Sequence, residues 1–201
     1  ADQYGNKTDN FGVNDMALVI GYANELDENF YYGVNAKFIY SQIEEYSSTG
    51  LAADIGLQYV IPDERWSFGL SVLNLGGQIS AYSTTKENLP IDLRIGFSKT
   101  LARLPFTFFG SFNKLNDNYE NFGDRFKQFT FGGEIRLGKA LRLRLGYDNE
   151  KRTDLKVGTT KGLAGFNLGV GLLVSSYNFD YAYSSFGSIG GLHRIGITTT
   201  F

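Results

Sequence analysis

The stretch Leu141-Arg142-Leu143-Arg144-Leu145-Gly146-Tyr147 places an apolar residue at every second position, with arginine or glycine between. A helix would scatter those arginines around its axis. A strand sends successive side chains to opposite faces, so it collects the three leucines and the tyrosine on one of them. Phe129, Phe131, Ile135 and Leu137 alternate in the same way with Thr130, Glu134 and Arg136, as do Leu93, Ile95 and Phe97 with Asp92, Arg94 and Ser98. About eleven segments carry this period of two. The rest are Met16 to Tyr22, Tyr32 to Tyr40, Leu51 to Tyr59, Trp66 to Val72, Phe106 to Phe112, Phe166 to Leu172, Tyr177 to Tyr183 and Ile195 to Phe201. The expected fold is all-β, with one oily face on every strand.

Composition narrows the classes of function. Phe, Tyr and Trp make up 15% of the 201 residues, and 25 glycines suit a chain with many turns. Nineteen basic residues against 21 acidic ones leave no basic surface for nucleic acid. With no cysteine and a single histidine, thiol catalysis, disulfide frameworks and Cys/His zinc sites are excluded. The longest clean apolar run, Met16 to Ile20, is far short of the roughly 18 to 20 residues a membrane helix needs. The chain begins at Ala1 without an initiator Met or a signal-like segment, which reads as an internal start.

The connections alternate in length. Asn24 to Asn29, Pro62 to Arg65, Lys99 to Pro105, Gly138 to Ala140 and Val174 to Ser176 read as short turns. Between them lie longer polar stretches at Glu44 to Gly50, Gly77 to Leu89, Lys114 to Lys127, Asp148 to Leu163 and Ser185 to Leu192. An antiparallel up-and-down sheet with turns at one rim and loops at the other produces this pattern, which is that of transmembrane outer-membrane barrels. Aromatic residues fall where the two membrane interfaces would lie. Tyr22, Tyr32, Tyr59, Trp66, Phe97, Phe106, Tyr177 and Phe201 gather at the short-turn rim, and Tyr40, Phe129, Tyr147, Phe166 and Tyr183 at the long-loop rim. A carboxy terminus at Phe201 would then be periplasmic. An odd number of strands would be missing, because such barrels close with an even number.

Four stretches carry a family resemblance: Tyr46-Ser47-Ser48-Thr49-Gly50-Leu51-Ala52-Ala53-Asp54, Lys161-Gly162-Leu163-Ala164-Gly165-Phe166, Leu143 to Tyr147, and Tyr181 to Gly187 running on to His193-Arg194-Ile195. The chain resembles the PorV/PorQ family of the type IX secretion system, FadL-like outer-membrane β-barrels of the Bacteroidetes type, and within it the PorQ branch. The resemblance implies a barrel of about fourteen strands, an even number as such barrels have. The amino-terminal hatch and about three strands would then be missing from this single 1–201 domain. It also implies a non-enzymatic role in protein transport, anchoring a PorZ-like surface protein of the attachment complex beside PorU and PorV.

Lys37, Asp54, Asp92, Arg94, Glu134, Arg136, Arg142, Arg144, Asp180 and Arg194 share the polar side and would face the lumen. They fit either a polar conduit or cross-strand ion pairs, such as Glu134 with Arg142 or Arg144. Asn116, Asp117, Tyr119, Asp124, Lys151, Arg152 and Lys156 lie in the long loops and are candidate partner contacts. His193 with Ser184 or Ser185 and Asp180 would suit a lipase only if the groups came within hydrogen-bond reach. Asp117, Glu120 and Asp124 lack the spacing of a calcium loop. No catalytic, cofactor or metal residue is expected. Two rival readings remain: a FadL-like transporter of hydrophobic small molecules using Ile39, Leu73, Phe109 and Leu173, and a soluble barrel with its oily face inward.

Overall fold

The computed structural model describes residues 12–82, 86, 88–155 and 162–199. Eleven strands form one antiparallel sheet in which each is hydrogen-bonded to its neighbour in sequence. They are β1 (Val13–Asp27), β2 (Phe30–Ile43), β3 (Tyr46–Ile61), β4 (Trp66–Ser80), β5 (Asp92–Thr100), β6 (Phe106–Phe112), β7 (Phe129–Leu137), β8 (Leu141–Asp148), β9 (Phe166–Val174), β10 (Tyr177–Ser185) and β11 (Gly191–Thr199). A 3-10 helix at Phe122–Lys127, one α-helix, α1 (Asn149–Asp154), and a 3-10 turn at Gly187–Ile189 interrupt the loops. No helix among the described residues is long and apolar enough to cross a membrane.

The alternation read from the sequence becomes face separation through register. Residues paired across antiparallel strands point to the same side of the sheet. Phe106 pairs with Ile135, Ile135 with Leu143, Leu143 with Val170, Val170 with Tyr181 and Tyr181 with Ile195, an unbroken apolar row across six strands. One residue along, Thr107, Glu134, Arg144, Gly169, Ala182 and Arg194 form the row on the opposite face.

Burial is inverted relative to a water-soluble domain. Among the described residues, Ala52, Leu115 and Ala164 are the buried hydrophobic ones, whereas Ser48, Asp54, Asp92, Ser184 and Ser185 are buried polar ones. On the apolar face Leu145 is 61% exposed, Ile20 69% and Ile195 83%.

Contacts divide the chain into two compact units. The first comprises residues 1–57 and 71–92, and the second residues 58–70 and 93–201. The first unit is dominated by the long β1–β2 hairpin, fourteen residues paired on each strand with a bulge at Glu25/Asp27. Its turn, like the one after β2, is tight, with left-handed Asn29 and Glu44. The second unit carries the continuous ladders from β5 to β11.

The strand count matches the eleven alternating segments, but the first strands run further than expected. Glu44 to Gly50, expected as a long loop, is a two-residue turn followed by the opening of β3, and β4 continues to Ser80. At the start of β3 the residues on both faces are small or polar, and in β4 the apolar positions shift from Trp66, Phe68 and Leu70 to Leu75 and Ile79 across the irregular Asn74, so the period of two breaks before the strand ends. Connections at the other rim remain long after β4, β6 and β8, whereas the one after β10, residues 186–190, is no longer than the β5–β6 turn at 101–105.

Candidate functional site

Two polar networks occupy the polar face, one in each unit. In the first unit β3 positions Asp54, 6% exposed, to accept from three directions. Lys37 Nζ lies 2.7 Å from its Oδ1, the Asn74 backbone N–H donates to Oδ1 at 2.9 Å, and Asn35 Nδ2 donates to Oδ2 at 3.3 Å. Lys37 also donates to Asn74 Oδ1 at 3.1 Å. Asn74 adopts φ 60°, a left-handed conformation inside β4 that asparagine tolerates better than most residues. The network thus satisfies the backbone N–H of an irregular strand residue as well as two charges.

In the second unit Glu134 on β7 accepts from Arg136 Nε at 2.8 Å and from Arg144 Nε at 2.9 Å. Arg144 reaches onward to Asp180 on β10, with Nη1 2.5 Å from Oδ1. Asn178 Nδ2 also donates to Asp180. That second pair spans β9, and glycine makes the crossing possible. A Cβ at Gly171 would lie 2.8 Å from Asp180 Oδ1 and 3.3 Å from Arg144 Nη2. Arg142 faces Arg136 directly across the β7–β8 ladder and has no carboxylate partner among the described residues. Asp92 is buried at the head of β5, and both it and Arg94 are engaged in contacts of their own.

The long loops after β6 and β8 are fastened to each other. Lys114 pairs with Glu150, and Asn149 Nδ2 donates to the Lys127 carbonyl at 2.8 Å. Tyr119 Oη donates to the Lys114 carbonyl at 3.2 Å, Arg125 Nη1 to that of Leu115 at 3.2 Å, and Leu93 N–H to Asn116 Oδ1 at 2.7 Å. Asp117 N–H donates to the Lys114 carbonyl at 3.1 Å. Lys151 N–H caps α1 on Asp148, whose Oδ2 is 3.4 Å from Lys151 Nζ. Arg152 donates to the carbonyls of Gly162 and Ala164 and lies over the Phe166 ring. Gly165 has φ +85° and its carbonyl accepts from Asp148 N–H at 2.8 Å, where a side chain would strike the Asp148 carbonyl oxygen. Hydrogen bonding to Glu150 holds the Lys114 ammonium above the ordinary lysine pKa. Burial, with Asp117 nearby, raises the Tyr119 phenol, and Lys127 lowers the Asp124 carboxyl.

Aromatic clusters mark the strand ends. Tyr22 meets Tyr32 at 6.2 Å, Trp66 meets Phe68 at 5.6 Å and Phe97 at 6.1 Å, and Tyr177 meets Phe179 at 6.5 Å. Lys99 Nζ sits 4.8 Å above the Trp66 ring. At the other rim Tyr147 lies between Phe129 and Phe166, at 6.0 and 5.3 Å. Tyr59 is exposed on the apolar side of β3. Lys156 and Phe201 lie outside the described residues.

The candidate lipase set does not assemble. His193 pairs with Tyr183 on the apolar face and its Nδ1 is 2.7 Å from Tyr181 Oη, whereas Ser184 sits on the opposite face and accepts from Arg194. Ser185 Oγ accepts from Gly187 N–H. No group of three or more metal-ligating side chains occurs among the described residues. Sequence reasoning missed the amides of Asn35, Asn74 and Asn178 and the Lys114–Glu150 clasp. Asparagines alternating with apolar residues were the available signal for the amides.

No protein-family model matches the chain. Neither a curated protein nor a solved structure matches it.

Two outcomes follow from these networks. Gly171→Val should break the Arg144–Asp180 pair and destabilise the protein by about 1–3 kcal/mol through overpacking. Gly196→Val, on the same face but with open space around it, should cost much less in the same chemical unfolding experiment. The Lys114–Glu150 clasp should hold at neutral pH and past the ordinary lysine range. Since the folded state raises the Lys114 pKa, its contribution is complete below the unfolded value and is lost as pH rises through the folded one. Hydrogen exchange in residues 113–128, corrected for intrinsic rates, should accelerate in that window, and Lys114→Met should remove the step.

Proposed function

We propose that this chain forms wall of an outer-membrane β-barrel of the PorV/PorQ type, which serves a type IX secretion machine without covalent chemistry. In this role it holds a PorZ-like surface protein, beside PorU and PorV, through the loops at its long-loop rim. Inverted burial carries the membrane part of the reading. Soluble monomers rarely expose apolar patches beyond a few hundred Å². Here whole rows of Leu, Ile, Val and Phe are open while carboxylates and serines are buried. A hydrocarbon surround removes that conflict and requires every strand to satisfy its backbone within the protein. Rings at both strand ends and Lys99 over Trp66 suit residues half in headgroups and half in acyl chains.

The family part rests on the four sequence stretches, and their places in the fold support it. Among the described residues, six of the eight buried ones that are not glycine, Ser48, Ala52, Asp54, Ala164, Ser184 and Ser185, fall within them. The stretch from Lys161 to Phe166 includes the Gly165 junction, whose N–H donates to the Ser185 carbonyl at 3.1 Å. Those motifs therefore coincide with the sites where the chain is most constrained. The transporter reading has weaker footing: Phe109, one of its four apolar residues, packs its ring against Gly132.

Leu143→Arg should impair assembly into lipid vesicles, costing roughly 2–4 kcal/mol at mid-bilayer depth. Arg142→Leu, one residue away on the polar face and without a carboxylate partner, should assemble normally. Equal assembly of both variants would refute the membrane reading. Purification of the complete protein from envelopes in mild detergent should retain a surface protein. That protein should be lost when Asp117 and Asp124 are both changed to lysine, whereas recovery of bound lipid alone would favour transport.

A further inference from the structure

The 3-10 helix at Phe122–Lys127 carries an aromatic pair that the loop clasps leave unused. Phe122 is 76% exposed and Phe126 44%. Phe126 meets Phe112 edge-on, with ring centroids 5.4 Å apart at 90°, and Phe122 meets Phe126 at 5.6 Å. Phe112 ends β6 on the apolar face, paired with Ile95 and Phe129. Three rings therefore run ring to ring off the end of the apolar face and past the last strand residue.

The other side of the same short helix is polar. Arg125 fastens it to the Leu115 carbonyl, Lys127 pairs with Asp124 at 2.5 Å, and Asn149 holds the Lys127 carbonyl. These bonds fix which way the rings point without covering them. Lys127 keeps 72% of its side chain exposed beside them.

We infer that Phe122 and Phe126 form a lipid-contact surface: the short helix lies in the headgroup layer at the long-loop rim and sets both rings among the upper acyl chains. This rests on the membrane reading above and extends it from the strands to a loop. Continuity with Phe112 selects lipid over a protein partner, because the rings prolong the face already assigned to hydrocarbon. Charge agrees, since Lys127 can reach anionic headgroups from a helix whose rings point into the acyl layer.

The test uses the protein in vesicles of phosphatidylcholine and phosphatidylglycerol, with a single tryptophan within these 201 residues. Trp66→Phe removes the native indole, and Phe122→Trp and Leu145→Trp place a new one on the short helix and on a strand. Lipids brominated near the headgroup should quench the indole at 122 to an extent comparable with that at 145, and acrylamide should reach neither. Quenching at 145 but not at 122, with acrylamide reaching 122, would overturn the inference alone and would mark the rings as a protein-docking surface. Absence of lipid quenching at both positions would sink the membrane reading with it. The chain has no cysteine, so Phe122→Cys bearing a polarity-sensitive dye gives a second reading. A blue-shifted emission in vesicles is expected, and a water-like emission would contradict the assignment.

Discussion

Interstrand backbone hydrogen bonding is the interaction on which everything else in this structure depends. A domain held by a hydrophobic core buries its large side chains, and among the described residues here the buried hydrophobic ones are Ala52, Leu115 and Ala164. What remains is a set of antiparallel ladders running in sequence order. In water each such bond contributes only about 0.5–1.5 kcal/mol net, because the unfolded backbone bonds to solvent instead. In hydrocarbon that alternative is gone, and an unsatisfied group costs several kcal/mol. On the proposed reading, the same ladders change from weak to dominant through the choice of solvent, without any change in contact.

That choice also explains why the charges are netted together. Arg144 serves Glu134 and Asp180 at once, and Lys37, Asn74 and Asn35 converge on Asp54. A half-buried carboxylate with one partner still has lone pairs to satisfy, and a second or third donor closes that deficit. Small residues make the geometry available. Gly171 removes a side chain from the line between β8 and β10, so that a guanidinium on one strand meets a carboxylate two strands away. A charge network and a glycine lane are thus two aspects of one device.

Strand existence was legible because period-two contrast is strong wherever one face is apolar and the other charged. Leu141 to Tyr147 is the clearest instance, and it forms β8 almost residue for residue. The contrast fails where both faces are polar. Ser47 and Thr49 lie on the same side of β3 as Leu51, yet nothing in their chemistry distinguishes them from Ser48. The extension of β3 back to Tyr46 was therefore hidden, and the end of β4 was hidden by a shift of its apolar residues from even to odd positions across Asn74. Ion pairs were legible only to the level of adjacent strands. Glu134 with Arg144 follows from alternation, but the reach of Arg144 to Asp180 depends on an empty position on the strand between. Side-chain bonds to loop carbonyls, such as those of Arg125 and Arg152, have no periodic signature and could not be read from spacing.

The loops complete the argument because they are ordered by different means from the strands. Ladders stop at Phe112 and Asp148, and beyond them side chains take over the task of holding the backbone. Lys114 grips Glu150, Arg125 the Leu115 carbonyl, Asn149 that of Lys127, and Arg152 those of Gly162 and Ala164. A surface that must be ordered on binding loses part of its affinity to that ordering, whereas one already fixed does not. Two long connections clasped to each other thus present a formed surface at the rim, which on the proposed reading suits holding a partner. These clasps leave the rings of Phe122 and Phe126 exposed, free to meet whatever lies beside the apolar face.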